Sequence, residues 1–170
     1  ARLALHIWYG KSMALDPAQL YRDLGTTPVI NACGNMTVLG GSRVSPRVQE
    51  AMVAANRYFV SMDDLQRATG ERIAELLGAE AALVTPGCGA ALALSSAACM
   101  SIGNPARMEQ LPNVDGIPNR FLFQERQHYH YERCLTTFGG QVLRVGSDRG
   151  TSEEQLEDAI TEQTAAFHYY

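Results

Sequence analysis

The chemistry-bearing residues of this 170-residue chain are sparse, and the densest group is Thr85-Pro-Gly-Cys-Gly-Ala-Ala91, between a short apolar run and an Ala/Leu/Ser stretch. Small residues at Gly87, Cys88, Gly89 and Ala90 let the backbone close on a ligand, and a helix starting there points free amides outward, which makes an anion cradle. The run has neither the lysine of a Walker loop nor the full GxGxxG of a dinucleotide fold, so a nucleotide is the lesser use. Taken by spacing alone, a tight strand-to-helix turn explains the same glycines equally well. Cys88 invites a nucleophile reading, but a small thiol in such a turn is more often packing, and no histidine partner is dictated. A second group, Gln127-His128, precedes an expected helix, where a histidine is ordinarily a cap or a surface residue. The third is Asn31-Ala-Cys-Gly-Asn35 with Thr37 and Gly40-Gly41-Ser42; Asn and Gly are ordinary turn formers, so loop chemistry and ligand contact stay level there.

The chain as a whole narrows the classes. With 46% hydrophobic residues it can build a real core. Fourteen Lys+Arg against 18 Asp+Glu leave a net charge of −4, which gives no global attraction to nucleic acid or to an anionic membrane. No run approaches the roughly 18 apolar residues of a membrane span. Cys33, Cys88, Cys99 and Cys134 are far apart and carry no zinc-like spacing, so reduced thiols in the cytoplasm are expected and no metal. The only lysine is Lys11, inside an irregular stretch ahead of the folded unit.

The elements that must position these groups follow from caps and periodicity. Residues 1–15 read as an irregular extension and 16–78 as an N-terminal arm with helices. Asp16 caps a short helix from Pro17 to Leu24, ended by Gly25. Residues 28–34 read as a short strand, Ser45-Pro46 opens a helix to about Phe59, and Met62 to Leu77 forms another, stopped by Gly78. From residue 79 strands alternate with helices: strand 81–85, helix 90–100, strand 121–124, helix 129–138, strand 141–145, helix 153–161 and strand 164–170. That alternation predicts an α/β fold of three layers, α/β/α, with a mostly parallel sheet. Because the chain ends on a strand, a fragment of a larger fold is expected.

Several of these runs together resemble the selenocysteine synthase-like family of fold-type I pyridoxal-phosphate enzymes. They are Tyr21-Arg-Asp-Leu-Gly-Thr-Thr-Pro-Val-Ile-Asn-Ala-Cys-Gly34, Leu39-Gly-Gly-Ser42, Leu76 through Ala91, and 119–146. The resemblance covers roughly residues 18–170 and implies the first half of that fold's large domain, with 79–170 an incomplete cofactor-binding domain. It implies pyridoxal 5'-phosphate as cofactor, its phosphate on Gly87, Cys88, Gly89 and Ala90. Either Gln127 or His128 would stack on the pyridine ring, with His128 favoured because a flat ring suits an aromatic cofactor. Tyr129 and Tyr131 are read as helix packing and His130 as solvent-exposed. The arm implies substrate contacts from Asn31, Thr37, Gly41 and Ser42, and a homo-oligomer, most simply a dimer.

The same resemblance implies a lyase or transferase acting on a small amino acid or amino-sugar acid by α,β-elimination. Selenium transfer to seryl-tRNA is the alternative. It is disfavoured because Thr37-Val-Leu-Gly-Gly-Ser42 stands where that enzyme's His-Thr-Asn-Leu-Gly-Arg-like run is expected, and there is no room for a tRNA-binding region. A catalytically inactive scaffold of the same fold is the third reading. The family's Schiff-base lysine falls beyond Tyr170, so the 170 residues alone are expected to be inactive.

Overall fold

A computed structural model describes residues 16–169. The expected 1–15 extension, Lys11 and Tyr170 lie outside the described residues. The chain divides into two compact units between Phe59 and Val60.

In the first unit, helix α1 (Pro17–Asp23) starts where Asp16 accepts a hydrogen bond from the Ala18 amide at 3.0 Å. The strand expected over 28–34 does not form. Asn31 instead accepts from the Cys33 amide at 2.9 Å and donates to the Gly34 carbonyl at 2.6 Å, so its side chain occupies the backbone groups a ladder would need. A single 3₁₀ turn, Thr37–Leu39, follows. Helix α2 (Pro46–Ala55) is capped by Ser45 and stops four residues short of Phe59. There the amides of Arg57 and Tyr58 bond three residues back, to Ala54 and Ala55, and the tightened turns end the helix.

The second unit opens with α3 (Met62–Leu77). Ser61 caps it, Asp63 and Asp64 suit the positive end of its dipole, and Gly78 closes it at φ 64°, a left-handed conformation that favours glycine. Its buried face carries Gly70 and Ala74. Against this face lies the 81–85 run, and the strand expected there is absent. Gln66 Nε2 donates to the Val84 carbonyl at 3.3 Å, and the Ala82 carbonyl sits so close over Gly70 that a Cβ would overlap it. Helix α4 (Cys88–Ser101) begins two residues earlier than expected, and α5 (Pro105–Gln110) lies in the stretch read as a plain connection. Asn104 nucleates α5 by accepting from the amides of Ala106 and Arg107, with Pro105 at its first position.

The sheet comprises β1 (Arg120–Gln124), β2 (Gln141–Val145) and β3 (Thr164–His168) in the order β2-β1-β3, both pairings parallel. Since β1 has a neighbour on each side, the 81–85 run could join only at an outer edge, and it joins neither. Helix α6 (Arg133–Thr136) links β1 to β2, and α7 (Glu153–Ala159) links β2 to β3. The helix expected over 129–138 is thus only four residues long. Ser152 and Gln155 form a reciprocal capping box at the start of α7. The central strand is buried at three successive residues, Phe121, Leu122 and Phe123, as a parallel strand covered on both faces must be. Met100 of α4, Ile117, Phe121, Phe123 and Leu135 of α6 form the core, each buried side chain contributing about 1.5–3 kcal/mol. The expectation of a three-layer α/β fold with a parallel sheet is met. No helix among the described residues is long and apolar enough to cross a membrane.

Candidate functional site

Gly87, Cys88, Gly89 and Ala90 make the start of α4. Gly87 is the N-cap, in extended backbone, and Thr85 Oγ1 donates to its carbonyl at 3.0 Å, which pins the turn. The first intrahelical bond to Gly87 comes from the Ala91 amide, so the amides of Cys88, Gly89 and Ala90 precede the helical ladder. No side chain caps this end or that of the four-residue α6, whereas Asp16, Ser45, Ser61, Asn104 and Ser152 cap α1, α2, α3, α5 and α7. Space is open as well: a Cβ on Gly87 would meet no atom within 4 Å. With no acidic residue in its first turn, α4 presents a positive dipole end to anything negative that docks there.

Behind this turn stands α6. A Cβ on Gly89 would lie 3.7 Å from Cys134 Sγ, an ordinary contact. Helix α6 follows directly on the loop that leaves the carboxyl end of β1, and this loop carries Gln127 and His128. The structure therefore brings α6, on which that loop ends, against the small-residue turn. Gln127 is half-buried, with its amide donating to the Gln124 carbonyl at 2.9 Å and its own carbonyl accepting from Arg144 Nη1 at 3.2 Å. Arg144 also pairs with Glu132 at 2.6 Å, so one guanidinium ties both ends of the loop to β2. His128 is exposed, as is His130.

Two residues given no site role by sequence reasoning stand out. Tyr129 precedes α6 rather than belonging to it, and its ring stacks on His168 with centroids 5.1 Å apart. His168 ends β3, pairs in register with Phe123 and stacks on that ring at 4.7 Å. Burial holds the His168 imidazole below its ordinary pKa by desolvating the charged form. The signal that could have found it is the strand order, because β1 and β3 are parallel neighbours whose carboxyl ends lie side by side, and ligands of open α/β sheets bind at such ends.

The remaining candidates belong to the first unit. Asn31 is exposed and bonded to its own loop, and Thr37 is exposed at the start of the 3₁₀ turn. Gly41 is half-buried and bridges antiparallel to Met36, while Ser42 donates to Asn35 Oδ1 at 2.9 Å. All four cysteines are free thiols, with Cys88 exposed and Cys134 half-buried.

No protein-family model matches the chain. It is similar to a D-glucosaminate-6-phosphate ammonia lyase of Salmonella typhimurium, 37% identical over 154 residues, which is 88% of this chain and 42% of that protein. A 5'-C-glycyluridine monooxygenase-decarboxylase of a Streptomyces species is 33% identical over 154 residues, covering 39% of its length. The solved structure of a D-glucosaminate-6-phosphate ammonia-lyase superposes on 92% of this chain with a TM-score of 0.83 at 35% identity, covering 43% of that chain. The fold of the corresponding part is therefore shared, and the chain spans about two fifths of the length of the relatives it matches.

Proposed function

We propose that this chain supplies the phosphate-holding half of a pyridoxal-phosphate lyase of the selenocysteine synthase-like kind, acting on an amino-sugar acid by α,β-elimination. The observation that carries the reading is the start of α4, a glycine-built helix end with orphan amides, open space above Gly87 and no side-chain cap. These features fit a phosphate dianion. The similarity to ammonia lyases named for D-glucosaminate 6-phosphate supports the substrate class. When bound, pyridoxal phosphate supplies an electron sink for the carbanion left by loss of the Cα proton.

The chain's own contributions are to bind and orient. The amides of Cys88, Gly89 and Ala90 hold the phosphate. Gln127 or His128 faces the ring from the loop that Arg144 ties down. Asn31, Thr37, Gly41 and Ser42 contact the substrate, as the resemblance implies. A cytoplasmic homodimer completes the reading, and selenium transfer to seryl-tRNA stays its lesser alternative. A cofactor-fold scaffold without catalysis stays the third reading.

The test is pyridoxal-phosphate titration followed by absorbance, with ammonia release from an amino-sugar acid phosphate assayed on the protein that carries this chain. Gly89→Asp puts a carboxylate where amides must face an anion, so it is expected to weaken cofactor binding at least tenfold. Unchanged affinity refutes the phosphate assignment. Borohydride reduction and mass mapping separate the two readings: a pyridoxyl-lysine with turnover supports the enzyme, and cofactor retention without either supports the scaffold.

A further inference from the structure

We infer that His168 is a positioning residue: by stacking on both Phe123 and Tyr129 it fixes the 125–132 loop, and with it Gln127 and His128, over the carboxyl edge of the sheet. The inference deepens the proposed function and rests on it only for what the loop faces.

The loop leaves β1 at Gln124 and must reach α6 at Arg133, and the central residues of that path lack a ladder of their own. Its backbone is held where the Glu125 amide donates to the Val145 carbonyl at 2.8 Å and where the Gln127 carbonyl accepts from Arg144, while the Glu132 carboxylate pairs with the same guanidinium at the far end. The stacked rings add a hold at Tyr129, in the middle of the loop. Phe123 is fully buried in β1, His168 is its registered neighbour on β3, and the Tyr129 ring also stacks on the imidazole. Interplanar angles of 27° and 29° make both contacts stacked rather than edge-on. Tyr129 also meets Tyr131 edge-on at 5.7 Å, which extends the column along the loop. The chain neighbours of Tyr129 are His128 and His130, so a ring fixed at 129 limits where 127 and 128 can go. Burial, which disfavours the charged imidazole, suits this place, because a charged ring would bring its hydration into the stack.

The experiment measures hydrogen exchange across residues 125–132 in the ligand-free protein, and pyridoxal-phosphate affinity on the same samples. His168→Ala is expected to speed exchange in the loop about two- to tenfold and to raise the dissociation constant by a similar factor, the range one aromatic pair supplies. His168→Phe keeps a stacking ring without the nitrogens and is expected to stay within about twofold of wild type on both counts. Tyr129→Leu removes the stack from the loop side and is expected to reproduce His168→Ala. Unchanged exchange in His168→Ala and Tyr129→Leu overturns the inference, as does a His168→Phe protein as open as His168→Ala. A wild-type protein that shows this exchange pattern but binds no pyridoxal phosphate overturns the cofactor reading while supporting the role of His168 in fixing the loop.

Discussion

Gly70→Ala isolates the contact that replaced the expected strand at 81–85. In an exposed helix interior this change stabilises by about 1 kcal/mol, because alanine has the better helix propensity. Here the new methyl would overlap the Ala82 carbonyl oxygen, a backbone atom that cannot rotate away. Relief requires the 81–85 run to lift off α3, straining the hydrogen bond from Gln66 to the Val84 carbonyl. Overpacking of this kind costs about 1–3 kcal/mol. Because backbone rather than a flexible side chain must yield, the upper part of that range applies, and the net is a destabilisation of about 1–2 kcal/mol. For a unit of this size it corresponds to a fall in Tm of roughly 4–10 °C. Gly87→Ala is the internal control, since its methyl meets no atom within 4 Å and its φ of 162° is open to any residue. Paired thermal and urea unfolding of the two variants gives the answer. A Gly70→Ala protein as stable as wild type would refute the packing of 81–85 against α3.

Two further outcomes follow from local chemistry. The pKa of His168 is lowered by burial, so the unfolded chain binds more protons between the folded value and the ordinary imidazole value of about 6.5. Stability should therefore rise with pH through that window and lose this contribution as pH falls below about 6.5; His168→Phe should have a shallower pH slope in unfolding experiments, and an identical slope would contradict the burial. Ser152→Ala removes the hydroxyl that accepts from the Gln155 amide, leaving only the bond from the residue-152 amide to Gln155 Oε1, and should destabilise by about 1 kcal/mol in urea titration, whereas no change would mean the cap is idle.

What the sequence made legible was local. Apolar spacing and the stop at Gly78 located α3 to the residue, because both act on the helix's own turns and need no tertiary partner. Strand β2 was equally readable, from the apolar run at Val142, Leu143 and Val145. What failed depended on neighbours. Residues 81–85 have a strand's composition, but pairing is a property of the sheet, and both sides of β1 are already taken. Helix α6 was overlong in the reading because Tyr129 and Tyr131 are given to helix packing there, while in the structure Tyr129 stacks on His168 and meets Tyr131 edge-on. Of the candidate site, the turn at Gly87 to Ala90 was legible because glycines and a helix start are contiguous in sequence. His168 was not, for its importance arises only when β3 docks beside β1 and sets it against Phe123.

The central claim is that the start of α4 holds a phosphate. It is tested most directly by adding pyridoxal phosphate to the isotopically labelled protein and following each backbone amide by NMR. Saturable shifts are expected to concentrate at Cys88, Gly89 and Ala90, to be reproduced more weakly by inorganic phosphate and to be lost in Gly89→Asp. Shifts absent from those three amides, or no larger there than at the side-chain-capped starts of α3 and α7, would contradict it.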